Sequence, residues 1–368
     1  MAKKLYIAAT GQHKGKTTCT LGLVAAIKKA GIDVGYCKPV GQQHLMIRGQ
    51  MTDKDAVLFE DILQFEVNPE IHSPVIIASG VTAAYIQDPT QFDFEGKIKN
   101  AMQVLEERHE MVVYEGTGHA GVGSIIDCSN AQVARMLNAE VIMIVGGGIG
   151  RTIDRLNLNL ALFREQQVSV KGVIVNKVHM DKLEHVRLHV EKKLNALGIP
   201  LLGVLPFDRT LSFPLMATVQ QDVKGKIMLN SHKMNNQVEE ILAGSSIKID
   251  EFTYFRNLLL IVDQSNLKKA IEKVKHHAQE RDLAASPLSG VIITGDGKHG
   301  VWYNQEDLTH PYLTANATPV LTTTLETYDT LIAVSRIEVK INTNTPWKVE
   351  RAIEMIQENV DIQRLIEL

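Results

Sequence analysis

The stretch Leu5-Tyr-Ile-Ala-Ala-Thr-Gly-Gln-His-Lys-Gly-Lys-Thr-Thr18 decides how the first half of this chain is read. An apolar run suited to a buried strand passes into a glycine-containing turn, and Gly15-Lys16-Thr17 then opens a segment of helical period. Each residue type has a task in holding an anion. Glycines let backbone N–H groups turn inward around phosphate oxygens, and the N-terminus of a helix adds partial positive charge. Lysine reaches the terminal phosphates, and the hydroxyl of the threonine ligates Mg²⁺. Gly11, Gln12, His13, Lys14, Gly15, Lys16, Thr17 and Thr18 are therefore assigned to nucleotide phosphates, Lys16 also to catalysis and Thr17 also to the metal. One departure is visible: the position five before Gly15 is Thr10, and the glycine has moved to Gly11.

Working outward, short apolar runs bounded by glycine alternate with helical periods over the first 210 or so residues, the pattern of βαβ units around a parallel sheet. The strands expected are Leu5–Ala9, Val34–Cys37, Met111–Tyr114, Val141–Val145, Val173–Val175 and Leu201–Leu205. Helices are expected at Lys16–Ala30, Gln132–Leu137, Thr152–Gln166 and Asp181–Leu197, each with apolar residues three and four apart. A doubly wound sheet of this kind binds ligands at the carboxyl ends of its strands. After Pro206-Phe-Asp-Arg209 the character changes and Pro214 interrupts the chain, so the reading is a P-loop, mostly parallel α/β domain over residues 1–212 and a smaller α/β domain with a C-terminal helix over 213–368. In the second domain Leu258–Val262, Gly290–Thr294 and Val320–Thr322 read as strands, and Asn266–Gln279, Glu326–Val334 and Thr345–Asn359 as helices.

Composition bounds the function. The 368 residues carry 39 basic against 42 acidic side chains, a net charge of -3, so no strong field favours nucleic acid or anionic lipid. The three cysteines, Cys19, Cys37 and Cys128, have no paired spacing, which speaks for a reducing cytoplasm and against a disulfide framework or zinc site. The N-terminal apolar run is too short for a signal peptide, and no run approaches the roughly 18–20 residues that span a bilayer. A cytoplasmic protein with no membrane partner is expected.

Further residues stand where a phosphate loop needs help. Met111-Val-Val-Tyr-Glu-Gly-Thr-Gly118 places Glu115 at a strand end as an acid for the metal, with glycines behind it that leave space for substrate. In Thr52-Asp-Lys-Asp55, Asp53 or Asp55 is placed to reach Mg²⁺, or else caps the helix that follows. Val34-Gly-Tyr-Cys-Lys-Pro-Val-Gly41 puts Lys38 at a strand end, suited to a phosphate or substrate carboxylate or simply solvated. Val173-Ile-Val-Asn-Lys177 does the same for Asn176, suited to a base edge or to an asparagine turn. His13, His44 and His119 share no metal-ligand spacing and are read as loop residues, His13 and His119 close to phosphate.

Together these residues resemble the dethiobiotin synthetase-like branch of P-loop proteins, which also contains the synthetase domains of cobyrinic acid amidation. The resemblance implies that Lys38 of Lys-Pro-Val is a substrate and phosphate lysine. It also implies that Asp55 and Glu115 bind Mg²⁺, that Asn176 reads the base, and that Gly203-Val-Leu-Pro206 brings Pro206 to the nucleotide. The N-terminal region of long phosphate acetyltransferases, which pairs such a domain with a so-called DRTGG domain, is closer still. Thr10-Gly-x-x-x-Gly15 and Ser73-Pro-Val-Ile-Ile77 are similar to it, as are Ser289-Gly-Val-Ile-Ile-Thr-Gly295, Pro319-Val-Leu321 and Glu326-Thr-Tyr-Asp329. The stretch that names the DRTGG domain is replaced by Val262-Asp-Gln-Ser-Asn266, and its second glycine by Asp296.

Two functions follow as expectations. The first is a ligase-type step in which ATP donates its γ-phosphoryl group to a carboxylate or carbamate of a small substrate, with Mg²⁺, Lys16 and Lys38 stabilising the charge that develops. The alternative is a nucleotide-responsive regulatory module that reports to a protein partner and has no acetyltransferase activity of its own. With the sequence ending at Leu368, neither an acetyltransferase domain nor a glutaminase domain is expected alongside the two read here. A partitioning ATPase is disfavoured, because Thr10, Gly11 and Gln12 stand where such proteins carry a signature lysine. Homodimerisation is expected, since a small α/β domain buries limited apolar area.

Overall fold

The computed structural model describes residues 2–244, 255–295, 310–337, 339, 341–342 and 345–367. The chain divides into two compact units: residues 1–208 together with 341–368, and residues 209–340.

The first unit is built on a six-stranded sheet whose order is Leu201–Pro206, Val170–Val178, Glu140–Gly146, Lys3–Ala9, Met111–Glu115, Val34–Cys37, every pair parallel. All six expected strands are present. They read as continuous apolar runs because helices cover both faces; Leu5, Ile7, Val112, Ile142, Ile144 and Val175 have no solvent exposure. Fully burying one such side chain contributes about 1.5–3 kcal/mol. The helix Lys16–Lys29 follows the first strand as expected, and Asn130–Met136, Gly150–Glu165 and Leu183–Ala196 lie within two residues of their expected bounds. The helix anticipated after Asp53 is present, and Phe94–Arg108 is among those the sequence reading did not place. Lys54–Leu63 starts where the Asp53 side chain accepts from Asp55 N at 2.9 Å, and Phe94–Arg108 where Asp93 accepts from Gly96 N at 2.9 Å.

The C-terminal helix corrects the expected division at residue 212. Pro346–Asn359 packs on the first unit, not the second. Glycines make the fit: a Cβ on Gly22, in the helix Lys16–Lys29, would lie 2.4 Å from Ile356 Cγ1, and one on Gly203 would lie 2.4 Å from Asn359 O. Val360 bridges Gly203, Asp361 N donates to Leu202 O at 2.9 Å, and Arg351 Nε pairs with Asp208 Oδ2 at 2.6 Å. The chain thus leaves the first unit after its sixth strand and returns to finish it.

The second unit is a five-stranded sheet in the order Lys226–Leu229, Val320–Thr323, Leu288–Thr294, Leu258–Asp263, Glu240–Ala243. Only Lys226–Leu229 is antiparallel. The three expected strands form its centre, while the two edge strands, short and less apolar, carry weaker sequence signals. The helices Gln264–Glu280 and Thr327–Ser335 match expectation. Within the stretch that replaces the DRTGG signature, Asp263 caps the helix Gln264–Glu280 through Asn266 N at 3.1 Å; Asp296 lies outside the described residues. Among the described residues no helix is long and apolar enough to cross a membrane.

Candidate functional site

The loop after the first strand takes the form its glycines permit. Gly15, which opens the helix, has φ 82°, and a Cβ there would fall 2.2 Å from Asn176 Nδ2. Both a positive φ and a close neighbour therefore require glycine. The loop is held from the next strand but one: Asn176 Nδ2 donates to Lys14 O at 3.0 Å, and Lys177 Nζ donates to His13 O at 2.8 Å. The other end of the Asn176 amide accepts from Lys177 N at 2.8 Å, so in this structure both ends of the side chain serve the protein. Lys16 Nζ donates to Gly118 O at 3.5 Å. Gly11, Gln12 and His13 are half-buried or exposed.

Acids and a second lysine meet the loop on one side. Thr17 Oγ1 donates to Glu115 Oε1 at 2.7 Å and stands 3.4 Å from Asp55 Oδ2. Lys38 Nζ lies between two aspartates, in contact with Asp55 Oδ2 and 3.3 Å from Asp53 Oδ1. The structure thus brings Lys16, Thr17, Lys38, Asp55 and Glu115 together from four separate elements. Pro206 stands at the end of its strand opposite Val178, at the same sheet edge as Asn176. His119 is exposed, and its carbonyl accepts from Asn130 Nδ2 at 2.5 Å.

Burial sets the electrostatics. Glu115 is 0% exposed and Asp53 1%; removal from water pushes both carboxyl groups above the ordinary range, against the pull of Lys38. Burial also opposes the charge on Lys38, but Asp55, Glu115 and Asp53 together outweigh it and hold the ammonium protonated well above its usual range. Asp53 Oδ2 is buried without a hydrogen-bond partner. Three carboxylates face one buried lysine and the loop, an excess of negative charge that suits a divalent cation. Among the described residues no three His, Cys, Asp or Glu side chains are arranged to hold a metal by themselves. The site therefore fits a cation that shares Thr17 and a carboxylate with phosphate oxygens and water, the habit of Mg²⁺.

Several contributors were missed by sequence reasoning. Tyr36 OH donates to Glu115 Oε2 at 3.2 Å while its ring stacks on Phe59 at 3.7 Å, which fixes the carboxylate. A signal existed: Tyr36 lies two residues before Lys38, in the strand at whose end Lys38 stands, and alternation along a strand puts such a pair on one face. Asn130 clamps the loop after Glu115, since its Oδ1 accepts from Thr117 N at 2.9 Å and from Tyr6 OH at 2.7 Å. Its position beside the capping Ser129 conceals this role in the sequence. Asp53, read from the sequence as a metal or capping residue, caps the helix Lys54–Leu63 and also pairs with Lys38, which the sequence did not show.

The chain is 26% identical over 208 residues to the ATP-dependent dethiobiotin synthetase of Clostridium kluyveri, covering 54% of this chain and 84% of that protein. Against the phosphate acetyltransferase of Nitrosomonas europaea it is 24% identical over 379 residues, covering 98% of this chain and 51% of that enzyme. A probable cobyric acid synthase of Methanocaldococcus jannaschii is 24% identical over 237 residues, covering 58% of this chain and 47% of the relative. The chain thus spans about half the length of the acetyltransferase and cobyric acid synthase relatives. Among solved structures, the MinD cell division protein of Aquifex aeolicus overlaps 57% of this chain and 84% of its own, at a TM-score of 0.38 and 14% identity. The family model described as an AAA domain matches residues 3–214, which carry the phosphate loop, and the chain belongs to that P-loop family.

Proposed function

We infer that the chain binds ATP with Mg²⁺ at Gly11–Thr18 and uses it for ligase-type phosphoryl transfer to a carboxylate or carbamate of a small substrate. The observation that carries this reading is the meeting of Lys16, Lys38, Thr17, Asp55 and Glu115 at one side of the loop. Thr17, Asp55 and Glu115 would hold Mg²⁺, which neutralises charge on phosphate oxygens. Lys16 and Lys38 would orient the reacting groups and offset the negative charge that builds up between them. Asn176 and Pro206, at the neighbouring sheet edge, are proposed for the base. Buried free Cys19, Cys37 and Cys128 suit a reducing, cytoplasmic setting. The test is ADP release from ATP, Mg²⁺, bicarbonate and a panel of small amines and carboxylates; no release above background rejects the ligase reading. Lys16→Ala should abolish the calorimetric heat of Mg-ATP binding.

A regulatory module is the second reading, favoured by one observation: this chain aligns over 98–100% of its length with phosphate acetyltransferases of which it spans about half. In it residues 209–340 form the DRTGG-like relay to a partner or to a second copy. Nucleotide that binds tightly, turns over slowly and changes the oligomeric state supports it; unchanged size in size-exclusion chromatography counts against it.

A further inference from the structure

The two lysines of the phosphate loop serve opposite sides of it. The first strand has Met111–Glu115 on one flank and Glu140–Gly146 on the other. Lys16 leans to the first flank, where its Nζ meets Gly118 O among the acids already described. Lys14 leans to the second, where its Nζ lies 3.3 Å from the place a Cβ on Gly146 would occupy. Charge is therefore segregated around the loop.

On the other flank, the charged groups that act on Lys14 are all basic. The helix Gly150–Glu165 follows the Glu140–Gly146 strand, with Thr152 Oγ1 donating to Gly146 O at 2.6 Å to pin its first turn. Arg151 and Arg155, one turn apart, project from the same helix face. Partial burial pushes the pKa of Lys14 down, and the charges of Arg155, Arg151 and Lys177 push it in the same direction. Among the described residues, none of Lys14, Arg151 and Arg155 forms an ion pair with a carboxylate, and Asp154 on the same helix pairs with none of them. Lys177 Nζ donates to His13 O, and among the described residues no carboxylate pairs with it. All four side chains are exposed or half-exposed.

Like charges gathered from three elements raise the free energy of the folded chain unless an anion offsets them. Surface cations of a protein with net charge -3 have acidic partners to choose from, yet among the described residues these four pair with none. We propose that Arg151, Arg155 and Lys177, together with Lys14 at the border of the phosphate loop, form a second anion site, which takes a phosphate-bearing small molecule beside the nucleotide. Two guanidinium forks and two ammonium groups match the oxygens of a doubly charged phosphate or pyrophosphate better than a lone carboxylate. This inference goes beyond the nucleotide reading; the two share Lys14, and the arginine variants separate them.

Pyrophosphate is the probe, titrated by calorimetry without Mg²⁺ into wild type, Lys16→Ala and Arg151→Gln/Arg155→Gln. The expected result is binding that survives Lys16→Ala and weakens roughly tenfold or more in the arginine double variant, while that double variant keeps its heat of Mg-ATP binding. Arg151→Lys/Arg155→Lys should recover part of the loss. Binding abolished by Lys16→Ala but indifferent to the arginines would place the anion in the nucleotide loop alone and overturn the proposal, as would absence of pyrophosphate binding in the wild type. Loss of Mg-ATP binding with pyrophosphate binding intact would reject the nucleotide reading and leave this one standing.

Discussion

Lys38 shows what a single residue does when it is both buried and surrounded. It is 8% exposed, and two of its neighbours are aspartates more than nine-tenths buried. Removing the partner of a buried charge leaves the others uncompensated, at a cost of about 3–5 kcal/mol. Lys38→Met is therefore expected to lower stability by that order in urea unfolding near neutral pH, with part of the loss recovered as acidity protonates the carboxylates. Glu115 carries the complementary pH dependence. Its carboxyl group sits above its ordinary value of 4.5 because burial penalises the charge. A raised acid means the folded state holds its proton to higher pH than the unfolded one, so the Glu115 contribution to stability is fully present below about 4.5 and is lost as pH rises through the folded value. Glu115→Gln should flatten this decline in the absence of nucleotide and Mg²⁺, as read by unfolding midpoints at a series of pH values. A steeper decline in the variant would contradict the assignment.

At the scale of elements, the helix Lys16–Lys29 is constrained at both ends of its use. Its N-terminus must present the loop, and its face must admit the C-terminal helix. In an exposed helix, glycine to alanine stabilises by roughly 0.5–1 kcal/mol. At Gly22 the sign reverses, because a Cβ would meet Ile356 Cγ1 at 2.4 Å and Ala352 O at 2.7 Å. Overpacking of this kind costs typically 1–3 kcal/mol, so Gly22→Ala is expected to lower the melting temperature rather than raise it. The combination Gly22→Ala with Ile356→Ala should recover less than the full loss, since a backbone oxygen also stands in the way. Thermal unfolding of the two variants side by side checks this.

At the scale of the whole molecule, residues 209–340 interrupt the first unit, whose final helix comes from residues beyond 341. A fragment ending at residue 212 therefore lacks the cover over Gly22 and the neighbours of Gly203, and is expected to aggregate or unfold in size-exclusion chromatography. Residues 1–208 joined by a short flexible linker to 341–368 should fold, because Arg351 already meets Asp208 at 2.6 Å. Sequence alone determined the phosphate loop, the six parallel strands and the strand-end acid Glu115. Each depends on a contiguous pattern: an apolar run sets the strand, and the residue just past it must lie at the carboxyl edge of the sheet. Only the tertiary structure decided what meets at that edge. Thr17 and Glu115 are 98 residues apart, and Lys14 and Asn176 are 162. The enclosure of Lys38 by Asp53 and Asp55, the approach of Lys14 to Gly146 and the return of the helix Pro346–Asn359 rest likewise on packing between separate segments. Local periodicity shows which face of an element is apolar, but not which distant segment covers it.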